Sequence, residues 1–145
     1  TPLSFAEAEY NLLNREIERN GVMDICGRLK LRLIAQSPLA MGILSGKYLS
    51  QPEPEGVRRR FLERYRNPNL PLLIRLLNNI GSEHDGKNCA QVSLNWLICK
   101  GVIPIPGAKQ IEQVIQNDQA TGWSLTADEV QQLDDLSDNL QPLRA

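Results

Sequence analysis

Apolar positions along this chain switch between two spacings. Short runs with the two-residue period of a strand are followed by stretches with the 3.6-residue period of a helix. Residues 3–10 read as a strand or its end, and Ile17, Gly21, Val22, Ile25, Cys26 and Leu29 then lie along one helical stripe over 17–29. Leu31-Arg32-Leu33-Ile34-Ala35 is a second, compact strand ended by Ser37-Pro38, with a glycine-containing loop over 39–48 after it. Residues 49–69 hold Pro52, Pro54, Gly56 and Pro68 and read as a long excursion carrying at most one short helix, at 57–65.

Helical periodicity returns over 70–83 and 90–99, the latter with Asn88 as N-cap, before a third strand over 102–105 and a helix over 110–120. In Thr126-Ala127-Asp128-Glu129 the hydroxyl and the carboxylate three residues on can cap a first turn reciprocally, so a last helix is expected from there to about Leu140. Strands that alternate with helices imply parallel strands joined by crossovers, hence an α/β fold.

Composition narrows the partners. With 145 residues, 41% of them hydrophobic, the chain has the size of one ordinary domain, and 16 basic against 17 acidic residues leave a net charge of −1. That balance carries no electrostatic footprint for nucleic acid or an anionic membrane. No stretch approaches the roughly 18 apolar residues of a membrane span. Cys26, Cys89 and Cys99 are odd in number, lack metal-ligand spacing and sit in helical segments as small buried thiols do, which suits a reducing, intracellular setting.

The most chemically suggestive run is Gly101-Val102-Ile103-Pro104-Ile105-Pro106-Gly107-Ala108-Lys109. A strand that breaks at Pro and Gly and leads straight into a helix leaves free N–H groups at the helix start, a common way to hold a phosphate. On spacing alone, Lys109, Gln113 and Asn117 equally fit a solvated helix start, and Ser37, Leu39, Gly42 and Lys47 fit a plain surface turn. The run Arg58-Arg59-Arg60 reads as a solvated face, His84 as a surface residue, and Trp96 and Trp123 as packing residues.

Five phrases in register decide between those readings. They are Glu9-Tyr10-Asn11-Leu12-Leu13-Asn14-Arg15, the stretch from Leu33-Ile34-Ala35-Gln36-Ser37 through Pro38-Leu39-Ala40-Met41-Gly42 to Ser45-Gly46-Lys47-Tyr48, then Ala90-Gln91-Val92-Ser93-Leu94-Asn95-Trp96-Leu97, the proline strand with Asn117, and Gly122-Trp123-Ser124-Leu125-Thr126. Together they resemble the aldo-keto reductases, especially the plant-type and cyanobacterial-type members and the β subunits of voltage-gated potassium channels. The resemblance covers nearly the whole chain and implies the C-terminal portion of a (β/α)8 TIM barrel: one partial domain over 1–145, its three parallel strands equivalent to strands six to eight.

What the resemblance implies for function follows residue by residue. Ser37, Leu39, Gly42 and Lys47 match the loop that wraps the cofactor pyrophosphate, and Gly107, Lys109, Gln113 and Asn117 match positions at the 2′-phosphate and adenine end of NADP(H). The family reduces carbonyls with NADPH through a Tyr, a Lys, an Asp and a His that come from earlier strands and have no counterpart here, so the isolated chain is expected to be inactive. Tyr10 has no neighbouring lysine by local spacing and reads as packing at the barrel end.

Three departures weaken the nicotinamide end: Glu7 replaces an amide that would donate, Gln36 replaces a stacking aromatic, and Gln116 replaces a Glu, the mildest of the three. Three strands cannot close a barrel. The expected partners are therefore a missing N-terminal half, a second copy, or a larger assembly in which the chain is a catalytically silent interaction subunit. The expected location is the cytoplasm or plastid stroma.

Overall fold

The computed structural model describes residues 3–49, 55–65 and 67–141; Pro52 and Pro54 lie outside them. Strands β1 (Phe5–Glu9), β2 (Arg32–Gln36) and β3 (Ile103–Pro104) form one parallel sheet in the order β1-β2-β3. Its register pairs Phe5 with Arg32 through Glu9 with Gln36, and Ile34 with Ile103. The fold is α/β, with three parallel strands and flanking helices. Strand β3 is shorter than the expected 102–105 for two reasons. The Val102 N–H turns back to the Leu97 carbonyl at 3.1 Å, and Pro104 and Pro106 have no N–H for a ladder.

The stripe expected as one helix over 17–29 is two, α1 (Glu16–Arg19) and α2 (Val22–Arg28). Gly21 at φ 86° turns the chain between them, a left-handed backbone that glycine adopts without steric cost. The break changes which faces are covered: Ile17 and Cys26 are buried, while Ile25 and Leu29 face solvent.

After β2 the loop over 39–48 is wound into two 3-10 segments, Ala40–Ser45 and Lys47–Leu49. One helix, α3 (Val57–Arg64), follows in the excursion. Helix α4 (Leu70–Glu83) buries Leu73, Ile74, Leu77, Ile80 and Gly81, the i, i+1, i+4, i+7, i+8 stripe of an amphipathic helix. Helix α5 (Cys89–Cys99) is buried along nearly its whole length and is capped by Asn88, whose side chain accepts from the Gln91 N–H at 2.9 Å. Helices α6 (Ile111–Asp118) and α7 (Ala127–Asp138) complete the chain, α7 with the expected Thr126–Glu129 capping box.

Within the sheet, Leu33 and Ala35 are buried and Ala6 and Ala8 pack on the same core. The alternate residues share the other face, where Phe5 and Ile103 are exposed at 51% and 39%. On that face Glu7, Arg32 and Gln36 are exposed as well, Ile34 and Glu9 are half-buried, and β1 and β3 each pair on one side alone. A parallel sheet ordinarily has both faces covered.

Helix α7 ties the last unit to the first. The Ser137 hydroxyl donates to the Leu12 carbonyl, and buried Arg15 donates to the Asp134 carbonyl at 2.8 Å and to Asp138 at 3.0 Å. Tyr10 is fully buried, its ring centroid 5.2 Å from that of Trp96 and its hydroxyl bonded to Glu18, which accords with a packing role.

Candidate functional site

The chain leaves β2 through an unusual turn. Ser37, Ala40 and Met41 have φ of 48°, 47° and 54°, and Gly42 has φ of 94°. Left-handed backbone at a non-glycine residue costs about 1 kcal/mol or more, and it persists where surrounding structure enforces it. Here the Asn11 amide donates to the Ser37 carbonyl at 3.0 Å, and the Ser45 hydroxyl donates to the Gly42 carbonyl at 2.7 Å. Ala40, Ile43 and Leu44 anchor the turn in the core. Glycine suits position 42 because of that φ; an added Cβ would stand 2.9 Å from Lys47 Cε, the far end of a flexible side chain that can swing aside.

A second wall comes from the end of β3 and the start of α6. The Lys109 N–H donates to Gln113 Oε1 at 2.7 Å, which draws that side chain over the helix entrance. Gln91 on α5 holds the far end of α6 by donating to the Gln116 carbonyl at 3.0 Å and to Gln119 Oε1 at 3.1 Å.

Between the two walls lies a cleft of about 610 Å³. All eight residues singled out in the sequence line it: Ser37, Leu39, Gly42 and Lys47 on one side, Gly107, Lys109, Gln113 and Asn117 on the other. The structure adds Met41, Ser45, Ala90 and the Gln116 already noted as a departure. No carboxylate lines the cleft while Lys47 and Lys109 do, so its charge favours an anion.

Other candidates fall elsewhere. Glu7 and Gln36 are exposed residues of β1 and β2 and do not line the cleft. His84 is not the surface residue expected: it is half-buried, its Nε2 lies 2.8 Å from Glu129 Oε1, and its ring centroid is 4.8 Å from that of Trp123. The carboxylate that caps α7 draws it inward. Trp96 is fully buried as expected, whereas Trp123 is only partly so.

Cys26 and Cys89 are buried but Cys99, at the end of α5, is exposed, because that helix runs out of the core there. Burial pushes the Cys89 thiol above its usual range, so it is not an activated nucleophile. Arg59 of the basic run pairs with Glu63 at 3.3 Å on the surface of α3. Among the described residues, no group of three His, Cys, Asp or Glu is placed to hold a metal ion, and no helix is long and apolar enough to cross a membrane.

Comparison with known proteins places this geometry in a lineage. Chloroplastic pyridoxal reductase of Arabidopsis thaliana is 43% identical over 133 residues, covering 92% of this chain and 36% of that protein. An aldo-keto reductase from Klebsiella pneumoniae, solved in complex with NADPH, superposes with a TM-score of 0.65 at 27% identity over 97% of this chain and 41% of that one. The glycerol dehydrogenase of Gluconobacter oxydans shares the fold with a TM-score of 0.83 at 24% identity, over 100% of this chain and 45% of its own. The chain thus spans less than half the length of each. The sequence pattern of the aldo/keto reductase family matches residues 1–138, and the chain belongs to that family.

Proposed function

We propose that this chain supplies the phosphate-and-adenine half of an NADP(H) site in a protein that reduces carbonyl compounds. The observation that carries the reading is the cleft itself, where two lysines and no carboxylate stand beside the strained Ser37–Gly42 turn. The donor set fits the cofactor: Ser37, Lys47, Lys109, Gln113 and Asn117 offer the hydroxyl, ammonium and amide groups that phosphate and adenine require. When bound, NADPH supplies the hydride that reduces a carbonyl carbon.

This chain's own residues bind and orient. Lys47 places a positive charge against the turn, and Lys109 with Gln113 does so at the entrance to α6. The proton for the carbonyl oxygen then comes from a complementary portion that carries the family's acid. With Glu7 and Gln36 outside the cleft walls, this chain's grip on the nicotinamide ring is weak.

The test is titration of NADPH with the chain, followed by cofactor fluorescence. Saturable binding that falls on Lys109→Ala supports the reading, and no binding at millimolar cofactor defeats it. Turnover of pyridoxal, the aldehyde in the name of the plant relative, is expected only when the complementary portion is present.

A second reading makes the chain a silent interaction subunit. The sheet face around exposed Phe5 and Ile103 favours it, and aldehyde reduction by a native sample would exclude it.

A further inference from the structure

The β1–β2 ladder ends where the Tyr10 N–H donates to the Gln36 carbonyl at 3.3 Å. Backbone cannot supply the next rung, because the Asn11 N–H is already given to the Asn14 carbonyl at 3.1 Å. The Asn11 side chain supplies it instead, its amide donating to the Ser37 carbonyl at 3.0 Å. Asn11 is fully buried and is not among the residues that line the cleft. Its other end is engaged locally, since Oδ1 accepts from the Leu13 N–H at 2.9 Å.

That rung falls at a decisive place. Tyr10 pins the peptide before Ser37 and Asn11 pins the peptide after it, so the two rotations at Ser37 that lie between them are fixed. The outcome is the left-handed φ of 48°. The Ala40 N–H also donates to the Ser37 carbonyl, at 2.9 Å, but a bond of that reach constrains the two residues it spans and leaves the φ of Ser37 free. The facing wall has a separate support in Gln91, which holds the Gln116 carbonyl and Gln119.

We infer that Asn11 is the positioning residue of the cofactor turn: from outside the cleft it holds Ser37 left-handed and so aims residues 37–42 at a phosphate. The ligand in this statement rests on the proposed function, whereas the hold on the backbone does not. Without the bond Ser37 relaxes toward the negative φ that a side chain prefers, and the turn loses its fixed place in the wall.

The experiment titrates NADPH into Asn11→Ala and Asn11→Ser proteins. Serine keeps a local bond to the Leu13 N–H, as hydroxyls do in such turns, but is too short to reach Ser37, so it isolates the long rung. Each substitution should raise the Kd about five- to tenfold. In a Ser37→Gly background, where left-handed backbone is free of strain, the same substitutions should change the Kd less than about twofold. Amide hydrogen exchange without cofactor should quicken over residues 39–46 in the Asn11 variants and stay unchanged in α5. Circular dichroism confirms that the variants fold. An unchanged Kd in folded Asn11→Ser, an equal loss in the Ser37→Gly background, or exchange that quickens in α5 as much as in the turn would each overturn the proposal. If the parent chain binds no NADPH, the proposed function fails, and the exchange measurement still decides the role of Asn11.

Discussion

The indole N–H of fully buried Trp96 donates to Asp134 Oδ1 at 2.8 Å, joining α5 to α7 through a carboxylate that also takes the Lys100 ammonium. Arg15 stands 3.8 Å from the same oxygen. One carboxylate thus serves two cations and a buried donor.

Asp134→Ala leaves the buried Trp96 N–H without its acceptor and takes the nearest carboxylate from Lys100, while Arg15 keeps Glu18 and Asp138; loss of a buried charged acceptor costs about 3 kcal/mol. Asp134→Asn keeps an acceptor for Trp96 and should cost less. Urea unfolding midpoints of the two variants check the order, and equal midpoints would contradict it.

Gly81 and Gly27 should respond in opposite directions to alanine. Both are helical, where alanine is ordinarily favoured by about 1 kcal/mol. A Cβ at Gly81 would stand 1.9 Å from the Lys87 carbonyl oxygen, a backbone atom that cannot swing away, whereas nothing lies within 4 Å of one at Gly27. Gly81→Ala should therefore destabilise by about 2 kcal/mol or more, and Gly27→Ala should stabilise slightly. Thermal melts of both proteins read the sign.

Acid should destabilise the fold through Glu18 and Glu129. Burial opposes the charge of Glu18, but hydrogen bonds from Arg15 and Tyr10 and the charges of Arg15 and Lys100 outweigh it, so its pKa lies below the usual glutamate value. Burial opposes Glu129 likewise and is outweighed by the Thr126 N–H and by His84. Carboxylates lowered in the folded state add stability above their unfolded pKa, and that stability is lost as pH falls through the folded value. Glu18→Gln and Glu129→Gln should each lower stability at pH 7 and flatten its decline below about pH 4.5. Denaturant titrations across that range measure the slope.

Lys47→Ala and Lys109→Ala should each raise the Kd for NADPH about five- to tenfold, the loss of one charge-assisted contact. The change should shrink at high salt, because partly exposed charges are screened. Titration at two ionic strengths tests both points, and an unchanged Kd in both variants would remove the phosphate assignment.

Much of this was legible in the chain. The capping signatures at Asn88 and Thr126 placed the starts of α5 and α7 to within a residue, since a cap is a local bond between neighbours in sequence. The break at Gly21 was not legible, because a glycine on an apolar stripe has the same period whether the helix continues or turns. Strand β3 read as longer than it is, for apolar alternation says nothing about missing N–H groups.

Sequence by itself determined the alternation of strands and helices and the family, and it singled out eight of the residues that line the cleft. Only the tertiary structure decided that residues 37–47 and 107–117 form two walls of one space, that His84 turns in to Glu129, and that the free edges of β1 and β3 differ in kind. The reason is physical: periodicity and caps are set by bonds and rotations within a few residues, whereas a cleft, a half-buried hydrogen bond and a strand edge depend on packing between segments far apart in the chain.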